Sequence, residues 1–202
     1  MFYETSRRDK ALLPHDPFKA IVAPRPIGWI STRAKDGRIN LAPYSFFNGF
    51  CSAPPIVGFS SEVAKDSAAF AVESGEFVAN LATLDLAQPM NATSAPLARG
   101  DNEFVHAGLT MAPCRLVAAP RVAEARAALE CKVTEMVEIK NAKGVALDRY
   151  LVLGEVIGVH IDDRFVKDGR FDTAGAQPIA RCGYHDYAVV ERLFSMIRPA
   201  GG

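Results

Sequence analysis

Hydrophobic and polar residues alternate from Ala128 to Lys140. Leu129, Cys131, Val133, Val137 and Ile139 fall on one face, and Glu130, Lys132, Thr134, Glu138 and Lys140 on the other. That period of two marks a half-buried strand. Asn141-Ala142-Lys143-Gly144 then turns the chain, and Tyr150 to Ile161 reads as a long apolar return strand. Upstream, strands are expected at 27–33 and 38–42, where Trp29, Ile30 and Thr32, then Ile39 and Leu41, are strand formers. The Asp36-Gly37 pair between them supplies the positive φ of a hairpin bend. Pro43 is expected to stop that ladder. Pro55 to Ser60 and Phe77 to Leu81 read as two further strands.

Helical patterns are short. Lys65 to Ser74 carries alanines and Phe70, with Asp66 or Ser67 as the expected N-cap and Gly75 as the stop. Thr83 opens a second helix through Leu86 and Ala87, limited by Pro89. Asn102 to Ala107 can make one turn ended by Gly108, and Asn91 to Gly100 reads as a loop. Residues 1–16 are polar and lead into Pro17, as an arm lying on the surface or on a partner would be. Ala174 to Pro199 lacks clear periodicity apart from an apolar run near Val189 to Phe194. Many strands, frequent turns and a few short helices predict a mainly β antiparallel barrel, one domain over residues 1–202.

Composition narrows the function classes. An apolar fraction of 49% in 202 residues supports one folded core and argues against disorder. Lys+Arg and Asp+Glu number 23 each, so no basic excess points to nucleic acid, and any anion must be recognised locally. No apolar run is long enough to span a bilayer, and the first ten residues lack the apolar core of a signal peptide, so a cytoplasmic protein is expected. Cys51, Cys114, Cys131 and Cys182 form no Cys-x-x-Cys pair and are expected as free thiols, with Cys131 buried.

Candidate chemistry is sparse. Ser60-Ser61, then Lys65-Asp66-Ser67 before a helix, could cradle a phosphate with hydroxyls, an ammonium and free N–H groups. The alternative is a capped helix beside an exposed lysine. Pro43 to Asn48 interleaves aromatic rings with Ser45 and Asn48, which suits a planar heterocycle, although a plain buried hairpin would carry the same residues. No Gly-x-Gly-x-x-Gly or Walker A loop is present, and no nucleophile elbow. His15, His106, His160 and His185 stand apart without metal spacing, so no metal is expected. His160 reads as structural, and Asp162-Asp163 as a solvated turn.

Four segments resemble one family. They are Arg25-Pro26-Ile27-Gly28-Trp29-Ile30-Ser31-Thr32, the run Asp36 to Asn48, Pro54 to Ser61, and Lys65-Asp66-Ser67. In this order and spacing they are similar to the flavin reductase-like proteins of the FMN-binding split-barrel fold, from about Pro17 to Tyr187. The resemblance implies a homodimeric flavoprotein with FMN between subunits and no catalytic side chain, the chemistry being the cofactor's. It implies that Thr32, Tyr44, Ser45, Phe46, Phe47 and Asn48 line the isoalloxazine, and that Ser60, Ser61, Lys65, Asp66 and Ser67 hold the phosphate. Asn80 and Arg181 match further cofactor positions, and His185 lies on a substrate rim where Cys182 and His185 depart from the usual small or apolar residues. NADH or NADPH is the implied electron donor, with free flavin, a flavoprotein or another small molecule as acceptor. A flavoredoxin-like carrier and a non-enzymatic flavin-binding protein are the competing expectations.

Overall fold

The computed structural model describes residues 1–62, 65–98, 101–197 and 199. A short helix α1 (Phe18–Ile21) precedes β1 (Arg25–Pro26), β2 (Gly28–Arg33), β3 (Ile39–Tyr44), β4 (Phe47–Ser52) and β5 (Pro55–Ser61). Helix α2 (Asp66–Ser74) leads into β6 (Glu76–Leu81). Next come α3 (Ala87–Ala92), α4 (Glu103–His106), β7 (Met111–Ala112) and β8 (Arg121–Val122). A long hairpin, β9 (Ala127–Lys140) and β10 (Ala146–Ile161), follows. The chain ends through β11 (Val166–Lys167), β12 (Arg170–Phe171), α5 (Thr173–Ala176), β13 (Ile179–Gly183) and β14 (Asp186–Val189).

Seven strands form one antiparallel sheet in the order β3-β2-β6-β9-β10-β5-β4. Its two outermost strands are consecutive in the chain, joined only by Ser45 and Phe46. A link that short reaches about 10 Å, so the sheet has to curl until its edges nearly meet. Across that split the Tyr44 ring packs on Phe59 of β5 at 5.0 Å. Gly28 of β2 lies so close to the Phe47 ring that no Cβ would fit. The expected antiparallel split β-barrel is the fold found.

Burial on β2 does not alternate: Trp29 and Ile30 are adjacent and both inaccessible. Ile30 points into the barrel with Phe59, Phe77, Cys131 and Val152. Trp29 points outward into a second cluster with Leu41, Met90, Phe104, Val122 and Ile179, where its indole donates to Thr93 Oγ1 at 2.9 Å. The turn at 84–86 and helices α3 and α4 cover what would otherwise be the solvent face, through Leu86, Met90 and Phe104. No helix among the described residues is long and apolar enough to cross a membrane.

Several local expectations are corrected. Pro43 does not stop the ladder but pairs with Trp29, because β3 is an edge strand whose outer side needs no N–H donor. Phe47 to Ser52, where no strand was expected, forms one. Lys65, extended at φ −85°, occupies the N-cap position of α2, and no side chain caps that helix. Asn91 and Ala92 belong to α3, where Pro89 sits in the first turn and loses no helical bond. Arg99 and Gly100, at the end of the expected loop, lie outside the described residues. The weakly patterned tail contains the β13–β14 hairpin, which pairs with β1. Asp162 accepts from the Arg164 N–H and caps a 3-10 turn, Asp163–Phe165.

Candidate functional site

A trough follows the split in the barrel, from the start of α2 to the β13–β14 hairpin. Its first hollow, about 440 Å³, is lined by Pro43, Tyr44, Lys65, Asp66 and Ser67, with Thr93 to Leu97 opposite. Strand alternation separates the two serines of β5. Ser61 is buried, and its hydroxyl donates to the Glu62 carbonyl at 3.1 Å and the Tyr44 hydroxyl at 3.4 Å. Ser60 faces a different hollow. Burial pushes the Tyr44 phenol above its ordinary value, so it stays protonated and can serve as donor or acceptor.

Ser67 is held from below. Its hydroxyl donates to Asn40 Oδ1. Asn40 Nδ2 in turn donates to Glu103 at 3.0 Å, and the other Glu103 oxygen accepts the Leu41 N–H at 3.0 Å. This chain ties the first turn of α2 to β3 and α4. It leaves Lys65 exposed and the uncapped N–H groups of α2 at the hollow's wall, an arrangement that favours an anion. The Asp66 and Glu103 carboxylates line the same hollow, so the positive character is confined to the helix end and Lys65. Thr32 shares a face of β2 with Ile30, and its hydroxyl is buried with no partner among the described residues.

The trough continues past Pro43 into a hollow of about 340 Å³ lined by Lys19, Arg25, Ser45, Arg181, Tyr184 and Tyr187 among others. Ser45 and Arg25 also border a third hollow, about 490 Å³, with Phe46, Phe47, Asn48 and Ser60. Thus Tyr44 to Phe47, where β3 passes to β4, sits at the junction of all three. Phe46 is 44% exposed there, with the Arg25 guanidinium 5.8 Å from its ring centroid. Asn48 turns back on itself, accepting the Gly49 N–H at 2.9 Å.

Most sequence-selected residues therefore converge, and four do not, the buried Ser61 among them, since it lines none of the three hollows. Asn80 is fully internal: its Nδ2 donates to the Trp29 carbonyl and Ser31 Oγ, and its Oδ1 accepts the Val122 N–H at 2.8 Å. It staples β2, β6 and β8 together and has no group left for a ligand. Thr32 is buried beneath the trough and lines none of the three hollows. His185 is exposed at the tip of the β13–β14 turn and lines none of them either. Arg181 does reach the trough; it donates to the Tyr184 carbonyl at 2.5 Å and stacks over the Tyr187 ring at 4.6 Å. Sequence reasoning did not select Arg25, Lys19, Asn40 or Glu103 for the site. For Arg25 the available signal was its place between Pro24 and Pro26, which forces an extended backbone.

A second polar cluster lies elsewhere. Glu130, expected on the solvent face of β9, is 1% exposed. It accepts N–H groups from Arg115 at 2.9 Å, Leu116 at 2.6 Å and Val117 at 3.0 Å, and meets His160 Nε2 at 2.5 Å. Burial alone would raise this carboxyl, but the main-chain donors and His160 overcome it and hold the pKa below the usual range. Cys114 stands beside them, its thiol pushed up to about 11 by burial and then by the Glu130 charge. The three side chains bring ligand atoms within 4.8 Å of one another. Four hydrogen-bonding partners already saturate the carboxylate, so the cluster acts as a clasp on the 115–117 loop.

An antiparallel barrel split along one seam, with a trough in the seam and an uncapped helix end at its mouth, defines the class of protein. The chain belongs to the flavin reductase-like family: the model described as "Flavin reductase like domain" matches residues 22–175. An uncharacterised protein of Halalkalibacterium halodurans is 34% identical over 183 residues, 88% of this chain and 87% of that protein. Among solved structures, nitrilotriacetate monooxygenase component B from Bacillus cereus matches with a TM-score of 0.87 at 26% identity, covering 97% of this chain and 98% of that one. Flavoredoxin of Desulfovibrio vulgaris shares the fold, with a TM-score of 0.77 at 23% identity over 89% of this chain and 93% of that one.

Proposed function

We propose that this protein is an FMN-dependent oxidoreductase that takes hydride from NADH or NADPH and passes electrons to free flavin, a flavoprotein or another small acceptor. The observation that carries the reading is the trough, with a helix N-terminus and Lys65 at one end and the Tyr44–Phe47 junction at its centre. The residues present fit the cofactor. A phosphate suits Lys65 and the uncapped N–H groups of α2, and a flat ring system suits the partly exposed Phe46 and the Ser45–Asn48 backbone. Bound FMN supplies the hydride and electron chemistry.

The chain's own residues bind and orient. Lys65 and the α2 N–H groups neutralise the phosphate, while the Ser67–Asn40–Glu103 chain keeps that helix end in place. Main-chain amides of Ser45 to Asn48 would hydrogen-bond the pyrimidine edge and stabilise charge there on reduction. Phe46 walls one side against water, and the open trough leaves the other side to the donor. No dinucleotide fingerprint exists, so the donor would dock only against the flavin and the trough walls. Exposed Ile21 and Phe50 border one hollow and give an apolar patch that a second copy would cover, in keeping with a homodimer.

Anaerobic titration tests this. Purified protein should be yellow and should bleach with NADH or NADPH. Colour that persists with both donors would reduce the reading to an electron carrier. Colourless protein that rejects added FMN would end it.

A further inference from the structure

We propose that Arg25 and Arg181, with Lys19 beside them, form a second anion subsite that receives the carboxylate or phosphate of the molecule reacting with the flavin. This rests on the flavin reading for what the subsite serves, though not for its existence. β1 and β13 pair so that Arg25 stands directly opposite Arg181. Like charges at directly opposed positions destabilise a ladder. Arg25 is also only 6% exposed.

Its surroundings offset that charge only in part, through the Phe46 ring, whose centroid lies 5.8 Å from the guanidinium, and two main-chain carbonyls. Nη1 of Arg25 donates to the carbonyls of Lys19 and Val22, and Nε is buried with no hydrogen-bond partner among the described residues. Among the described residues no carboxylate pairs with Arg25 or Arg181. The hollow they share, about 340 Å³, contains Lys19 as a third cation and neither Asp nor Glu. A buried guanidinium without counter-charge is costly unless an anion completes it.

The geometry is built rather than incidental. Gly183 has φ +93°, and a Cβ there would lie 2.7 Å from the Ala20 backbone nitrogen. Only glycine lets α1 settle on β13, which places Lys19 at the hollow that the arginines line. The Arg181 guanidinium is held flat by the Tyr187 ring at 4.6 Å and by the Tyr184 carbonyl. A planar fork held this way suits bidentate capture of an oxyanion. Pro43 and Ser94 line both this hollow and the one beside α2, so a molecule in the first lies end to end with a group bound in the second.

Binding of benzoate and of inorganic diphosphate should be measured by calorimetry on flavin-free and FMN-loaded protein, in wild type, Arg181→Met and Arg181→Lys. At least one oxyanion should bind wild type in both forms, the tighter one indicating whether an aryl acid or a dinucleotide supplies the group. Arg181→Met should weaken it about tenfold and Arg181→Lys should recover part of the loss, with FMN affinity moving less than about twofold. Retained FMN binding also reports that the variants fold. The proposal fails if neither oxyanion binds wild type or if Arg181→Met leaves binding unchanged. It also fails if Arg181→Met weakens FMN while sparing riboflavin, since the cofactor phosphate would then occupy this subsite. Should wild type bind an oxyanion but no FMN, the flavin reading falls and the subsite stands.

Discussion

Beneath the 115–117 loop, the Glu130 carboxylate takes three main-chain N–H groups and His160, whereas in the trough the Arg25 guanidinium meets two carbonyls and Arg25 stands opposite a second arginine. Both groups are buried, at 1% and 6% exposure, so neither is relieved by water. The difference is one of completeness. Every lone pair that Glu130 presents has a donor within the chain, and the result is a fixed loop. Among the described residues Arg25 keeps an unpartnered Nε and no opposing carboxylate, which is what the proposed anion would supply. Charge density alone would not separate them; the count of partners does.

The comparison breaks most readily at Glu130. Glu130→Ala leaves three main-chain donors and His160 without their acceptor, and should cost about 3–5 kcal/mol in stability, the range for breaking a buried pair from one side. Denaturant unfolding gives the number, and a loss below about 1 kcal/mol would mean that water or a side-chain shift replaces the carboxylate. Flavin content per folded molecule should hold, because the clasp lies outside the trough.

At the α2 end the expected effect is smaller and falls on binding. Lys65→Ala should weaken FMN by about 1–3 kcal/mol, the scale of a charge-assisted hydrogen bond, with little change in folding. Riboflavin, which lacks the phosphate, should hardly respond. Equal losses for both ligands would move the phosphate away from α2.

The smallest effect concerns acid. Because the Glu130 pKa is held below its unfolded value of about 4.3, its contribution is complete above that pH and is lost as pH falls through the lower folded value. Glu130→Gln should therefore lie below wild type at neutral pH, with the gap narrowing below about pH 4. Chemical denaturation across that window checks it, and a constant gap would assign the stabilisation to shape and hydrogen bonding alone.

Local pattern carried the reading of the long β9–β10 hairpin, of the Asp36-Gly37 bend and of α2 with its stop at Gly75. Each depends on neighbours within a few residues: alternation, a positive φ, a short amphipathic run. The Lys65–Ser67 end of the site was legible for the same reason, since a helix start after a strand follows from sequence order, although the cap expected from Asp66 or Ser67 is not formed. Pro43 and Glu130 were misplaced because their meaning depends on what lies alongside them. A proline is tolerated where its strand happens to be an edge, and a glutamate on a polar face is buried once a distant loop folds over it. Phe47 to Ser52 hid its strand behind glycine and serine, and the β13–β14 hairpin had too few residues for a period to register.

By itself, the sequence determined a mainly β chain with a short helix poised after a strand, and a motif order shared with the flavin reductase-like family. Tertiary structure alone decided that Asn80 is a staple instead of a ligand, that Ser60 lines a hollow while Ser61 is buried, and that Arg25 stands opposite Arg181. The reason is physical. Periodicity encodes which side of an element is apolar, but curling the sheet through the Ser45–Phe46 link sets which distant side chains share a cavity, and that closure is a property of the whole strand order.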